Sequence, residues 1–193
     1  MSLLKVTSPH ASGQSQVSTV MRDVLLATLP GIVVLTAYLF FKRNLVPFAS
    51  GADLLALCTP IGLLLGRIAN FINAELWGRA TDMPWGVAFP GEAAQACGQI
   101  SGLCARHPSQ IYEALLEGVL LFLVLNFVIR KTNYIRGKSA ALFLIFYSIF
   151  RSISEIYREP DIQIGYIYNF ISMGSLLSIF MFACGIIMYI KIK

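Results

Sequence analysis

The chain has 193 residues, 56% of them hydrophobic and 13% charged, with a net charge of +5. A soluble domain carries roughly 25% charged residues, so water is excluded as the solvent for most of this surface, and the length leaves no room for a large soluble domain beside a membrane one. The basic residues are split among loops between apolar segments rather than gathered in one patch, which excludes nucleic acid as the partner.

Residues 1–23 are polar. They contain Lys5 but no apolar stretch and no small-residue cleavage site, so they read as a poorly ordered tail and not as a signal peptide. Residues 24–193 read as a single transmembrane domain. The fold class expected is all-α: a polytopic membrane helical bundle of about five transmembrane helices, with an outward-facing loop or head region between the second and third.

The first apolar segment, Val24 to Phe41, is uncharged and just long enough to span. The second, Leu54 to Ile72, is apolar except for Arg67, and Pro60 is a candidate kink. The third, Ile111 to Ile129, carries Glu113 and Glu117 near its start, with Pro108 suited to the helix beginning. The fourth, Ser139 to Ile156, has Arg151 and Glu155 near its end. The fifth, Ile162 to Ile190, has no Asp, Glu, Lys or Arg and is longer than one span needs.

Lys42 and Arg43 follow the first segment, Arg130, Lys131, Arg136 and Lys138 the third, and Lys191 and Lys193 the fifth. These clusters place one side, and the C-terminus, in the cytoplasm. The segments 67–110 and 157–161 then face outward. The outward basic residues from Arg67 onward are all Arg, whose planar fork suits phosphate. Cys58 and Cys184 lie in apolar runs and read as small hydrophobes. Cys97 and Cys104 share one polar loop, where a disulfide can form if it faces an oxidising compartment. No Cys/His pattern suggests a metal.

Arginine at the centre of a membrane helix costs roughly 2.5 to 3.5 kcal/mol, and such residues usually face a bundle interior or a wet cavity. Tyr147, Arg151, Glu155 and Arg158 are spaced to share one helix face. Two guanidiniums flank one carboxylate there. A structural salt bridge would need only one Arg, so a phosphate clamp with Glu155 orienting the arginines is the favoured reading. Arg67 and Asn70 form a second polar face, followed by Glu75, Trp77, Gly78 and Trp85. The tryptophans read as interface anchors, and Gly78 and Gly86 as turn residues. Gln110, Glu113 and Glu117 share a third face, where Glu117 reads as a carboxyl hydrogen-bonded to neighbouring helices. His107 fits either capping or proton transfer. Glu113 and Glu117 would permit a transporter, but no internal repeat or broken-helix pair supports one.

The strings GRIANFINAELWGR with TDMPWG, RHPSQIYEALLEG, YSIFRSISEIYREPD and ISMGSLLS together resemble the bacterial prolipoprotein diacylglyceryl transferases, from about Asp53 to the C-terminus. The resemblance implies an enzyme of the bacterial inner membrane, active toward the periplasm or exterior. It would move the diacylglyceryl group of phosphatidylglycerol onto the lipobox cysteine thiol of a prolipoprotein, with no metal or organic cofactor. By the same resemblance Arg151 and Tyr147 match family motif positions and, with Glu155 from the shared helix face, are the expected catalytic residues. Arg67, Asn70, Glu75 and Gly78 match motif positions too and, with Arg158 from that face, are the expected phosphatidylglycerol-binding ones. Family members carry two further membrane helices ahead of the first span and a His-Gly-Gly motif where Leu26, Ala27 and Thr28 stand. Ala69, Ala74 and Ser148 stand where the family usually has Gly, and Ser175 where it has Gln. Without the motif His, His107 or Glu113 becomes the alternative base. The rival reading is a truncated or divergent, non-catalytic paralogue that keeps the phospholipid site.

Overall fold

The computed structural model describes residues 31–97, 103–131, 135–159, 166–167 and 171–192. Its contacts divide the chain into two units, one ending at Phe48 and one running from Ala49. In the first, residues 31–43 are helical (α1). The helix ends where the Asn44 amide and side chain both bond the Phe40 carbonyl, at 3.0 and 2.8 Å. Residues 24–30 of the expected first span lie outside the described residues.

The second unit is all-helical apart from short extended pieces. Its helices are α2 (Phe48–Ile72), the short α3 (Glu92–Gln95), α4 (Ser109–Lys131), α5 (Lys138–Glu155) and α6 (Met173–Ile192). Among the described residues α2, α4 and α6 are long and apolar enough to cross a membrane. Most of their apolar side chains face outward, including Leu54, Leu65, Leu123, Phe127, Leu177 and Phe180. Apolar surface on this scale needs lipid as its solvent: this is a membrane protein.

The core lies where α2, α4 and α5 meet, with Leu121, Leu125 and Leu142 buried and Leu57, Phe146 and Phe150 against them. The α5–α6 pair packs most extensively. At Gly185 an added Cβ would lie 2.8 Å from Ile145 and 3.1 Å from the Ala141 carbonyl, so a small residue lets the two backbones approach.

Three expectations are corrected. First, α2 begins at Phe48, not Leu54, and carries the buried Asp53 inside it. The charge is tolerated because Asp53 caps another helix: its Oδ2 accepts from the Gly137 amide at 2.7 Å and its Oδ1 from the Ala140 amide at 2.9 Å. No side chain next to the start of α5 does this, so a carboxylate from α2 meets the positive end of α5. Asp53→Ala should lower stability by about 1–3 kcal/mol, read as a shift in resistance to unfolding by sodium dodecyl sulfate in mixed micelles.

Second, the fifth apolar run is not one long helix. Tyr166–Ile167 (β1) pairs antiparallel with Ile171–Ser172 (β2), Tyr166 opposite Ser172, and α6 follows. Tyr166, Ile167 and Ile171 are aromatic or β-branched, the residue types that favour extended structure. Third, Arg158 is not on the helix face of Tyr147, Arg151 and Glu155. Helix α5 ends at Glu155 and Arg158 is extended, bridged to Gly78. The bridge to Gly78 holds Arg158 extended, and Pro160 disfavours helix at Glu159, against any continuation of α5.

Candidate functional site

Helix α4 contains a π-helical stretch, Ala114–Leu120. Such insertions widen the helix by one residue and recur at functional sites. Glu117 lies within this stretch and Glu113 just before it, both fully buried. Facing them are Arg67 from α2, Arg151 from α5, and Arg158 from the segment after α5.

Glu113 is the centre. Its Oε2 lies 2.8 Å from Arg67 Nε and its Oε1 2.8 Å from Arg151 Nη1, with Arg158 Nη1 at 3.6 Å. Glu117 lies 3.5 Å from Arg151 and 3.7 Å from Arg67, and accepts from Ser154 Oγ at 3.1 Å. Arg151 also reaches Glu155 at 3.1 Å. Glu155 in turn is packed by Gly174 at the start of α6, where a Cβ would meet its carboxylate at 3.0 Å.

The cluster therefore pairs three guanidiniums with three carboxylates. The net positive stripe read along α5 is offset by the two glutamates of α4. Their arrangement is layered. Glu113 and Glu117 side chains are 1% and 0% exposed, whereas Arg67, Arg151 and Arg158 are 16%, 13% and 12% exposed. The two α4 carboxylates lie behind the guanidiniums, while Glu155, 14% exposed, lies level with them. Breaking one such buried pair strands an uncompensated charge, so the glutamates hold the arginine forks in place.

Among the other expected residues, Tyr147 stacks on Phe143 at 5.5 Å and lies within electrostatic reach of Glu117, Arg151 and Arg67. Asn70 is half-buried, and its carbonyl accepts from the Glu75 amide at 2.9 Å. The Glu75 side chain is exposed, and its carbonyl is held by Gln110 at 2.5 Å. The two residues are joined by the backbone turn they close after α2. Gly78 is not a turn residue. An added Cβ would lie 2.5 Å from the Tyr157 carbonyl and 2.7 Å from that of His107, so only glycine lets three strands meet there. Gly86 does close a turn, its amide bonding the Met83 carbonyl at 2.9 Å.

These strands build the head region. The Gly78 and Thr81 amides bond the carbonyls of His107 and Ala105, each at 2.9 Å, and the Arg79 amide bonds that of Tyr157 at 3.0 Å. Cys97 and Cys104 are joined as a disulfide, Cα atoms 6.1 Å apart. Trp85 is exposed and Trp77 only partly so, and both have internal partners. Trp77 lies 5.8 Å from the Arg106 guanidinium, and Trp85 Nε1 donates to Tyr112 Oη at 2.8 Å. His107 makes no cap; its Nδ1 lies 3.1 Å from the same Tyr112 hydroxyl.

Two departures from the motif pattern acquire a meaning. Ala69 is exposed, so its methyl meets no tight helix contact. Ala74 has φ of 55°, the left-handed region where glycine carries no penalty. Ala74→Gly should raise stability by about 0.5–1 kcal/mol, measurable as a higher thermal midpoint in detergent.

Among the described residues, no three His, Cys, Asp or Glu side chains are grouped to hold a metal ion. The model of the family described as prolipoprotein diacylglyceryl transferase matches residues 30–191. The chain belongs to that family. The match starts ahead of Asp53, where the motif resemblance begins, and residues 26–28 precede it.

The chain is 48% identical over 161 residues to a phosphatidylglycerol–prolipoprotein diacylglyceryl transferase of Rickettsia bellii, covering 82% of this chain and 58% of that protein. A protein of the same name from Cereibacter sphaeroides is 52% identical over 149 residues, 76% of this chain and 49% of that protein. One from Roseobacter denitrificans is 52% identical over 133 residues, 68% and 45%. The chain spans about half the length of the curated relatives it matches. Sequence reasoning named the arginines of this site, offered Glu113 as an alternative base and read Glu117 as a structural carboxyl, but did not place the two glutamates behind the arginines. The signal was the spacing of Gln110, Glu113 and Glu117, three and then four residues apart, in RHPSQIYEALLEG.

Proposed function

We propose that this chain transfers the diacylglyceryl group of phosphatidylglycerol to the lipobox cysteine thiol of a prolipoprotein, in the bacterial inner membrane with the head region outward. The carrying observation is the layered cluster: three partly exposed guanidiniums backed by buried carboxylates. In the reaction the cysteine sulfur attacks the glycerol carbon that bears the phosphate. A C–S bond forms, the C–O bond breaks, glycerol phosphate leaves with the electron pair, and the thiol proton goes to a base. Only the thiolate is a competent nucleophile. Arg67, Arg151 and Arg158 would hold the phosphate as its charge grows, a preorganised stabilisation that needs no solvent reorganisation. Glu155 orients Arg151, and Tyr147 polarises the departing or attacking group. Asn70, Glu75 and Gly78 shape the head-group end.

The outward placement of the head region is supported by the basic clusters at 42–43, 130–138 and 191–193. The disulfide in the head supports it too, since such bonds persist in oxidising compartments. The test is complementation: the chain is expressed in a bacterium depleted of its own transferase, and lipoprotein modification is followed on a gel. Modified product and growth are expected. Stable insertion with no product would overturn the transferase reading.

A further inference from the structure

Arg106 is a buried arginine that the proposed chemistry does not use. It is 3% exposed and sits beneath Trp77. Its Nε donates to the Ala94 carbonyl at 2.5 Å, Nη1 to the Gly78 carbonyl at 3.3 Å and Nη2 to the Ala96 carbonyl at 3.4 Å. Nη1 also pairs with Glu159. One guanidinium thus spans three separate parts of the chain: the strand through Gly78, the α3 turn, and the segment after α5. The α3 turn is itself pinned. Gln95 Nε2 donates to the Phe89 carbonyl at 2.7 Å, its Oε1 accepts from the Cys104 amide at 2.9 Å, and the Cys97–Cys104 disulfide closes the loop.

Glu159 is the neighbour of Arg158, and Arg158 is bridged to the same Gly78 whose carbonyl Arg106 holds. Arg79 Nε adds a bond to the Arg158 carbonyl at 3.0 Å. Arg158 has no helix to set its direction, since α5 ends at Glu155. We infer that Arg106 is a positioning residue: through Glu159 and the Gly78 carbonyl it fixes the extended segment that aims Arg158 at Glu113. A planar fork with five donors serves this role in full, whereas a lysine ammonium can keep the Glu159 pair but not all three carbonyl bonds with it.

The inference rests on the proposed phosphatidylglycerol site. Its test is a double-mutant cycle on the purified full-length chain in detergent. The readouts are retention of phosphatidylglycerol against phosphatidylcholine, KM and kcat for transfer, and the thermal midpoint. Glu159→Gln removes one ion pair and leaves the three carbonyl bonds of Arg106. It should weaken phosphatidylglycerol retention and lower kcat/KM about five- to tenfold, with the thermal midpoint unchanged. In an Arg158→Ala background the same substitution should have no further effect. Arg106→Lys should recover part of what Arg106→Ala loses.

Additive losses from Glu159→Gln and Arg158→Ala would overturn the inference, as would losses that merely follow the thermal midpoint. A wild type that shows no preference for phosphatidylglycerol also overturns it. A wild type that retains phosphatidylglycerol without transferring it would sink the proposed reaction alone, and the retention cycle would still decide the role of Arg106.

Discussion

Arg67→Ala should lower transfer by at least about a hundredfold, the usual loss when one preorganised donor to a developing oxyanion is removed, while the protein still inserts. Arg67 faces Glu113 at 2.8 Å and Glu117 at 3.7 Å. Its loss leaves two buried carboxylates to the remaining arginines, and breaking such a pair costs about 3–5 kcal/mol before relaxation. The two carboxylates are then shared between fewer arginines, and the hold on Arg151 slackens. Arg67→Lys restores the charge but not the fork that reaches both glutamates, so it should recover only part of the rate. Transfer in isolated membranes, with insertion checked by resistance to alkaline extraction, separates these outcomes. Full activity in Arg67→Ala would remove the phosphate-clamp idea.

Gly118→Ala should be nearly as damaging, although Gly118 carries no chemistry. Its added Cβ would lie 2.7 Å from Leu64 Cβ and 3.0 Å from Leu64 Cα, so α2 and α4 must move apart. Overpacking of this kind costs about 1–3 kcal/mol. Leu64 lies one turn before Arg67, and Gly118 follows Glu117 directly, so the separation opens at the arginine–glutamate contacts themselves. Gly62→Ala on the same face-to-lipid helix is the control, since nothing lies within 4 Å of its Cβ position. Removing a helix glycine there should leave stability unchanged or raise it by up to about 1 kcal/mol. Gly118→Ala should lose both thermal stability and transfer. If both variants behave alike, the close approach of α2 and α4 does not matter to the site.

Much of the helical layout was legible in the chain, because apolar runs between polar loops leave few alternatives. The limits of α4 and α5 fall within two residues of the expected spans. What escaped was long-range. Asp53 looked like the edge of a span because its partners, the Gly137 and Ala140 amides, lie more than eighty residues on. Arg158 falls on the helical face of Arg151 by spacing alone, but α5 ends before it. Glu117 was read correctly as a carboxyl bonded to a neighbouring helix, yet its place behind the arginines depends on a π-helical stretch that no periodicity announces. Gly174 looked like part of a weak motif, and its contact with Glu155 appears only once α6 is packed on α5.

The cap on α5 also bears on how the protein is made. The carboxylate that closes the start of α5 belongs to α2, and it precedes the amides it binds by 84 and 87 residues. During synthesis the acceptor therefore leaves the ribosome well before the helix that needs it, and α5 meets a waiting partner. A chain in which the order of these two helices was reversed would have to expose the bare amide end of α5 until α2 arrived.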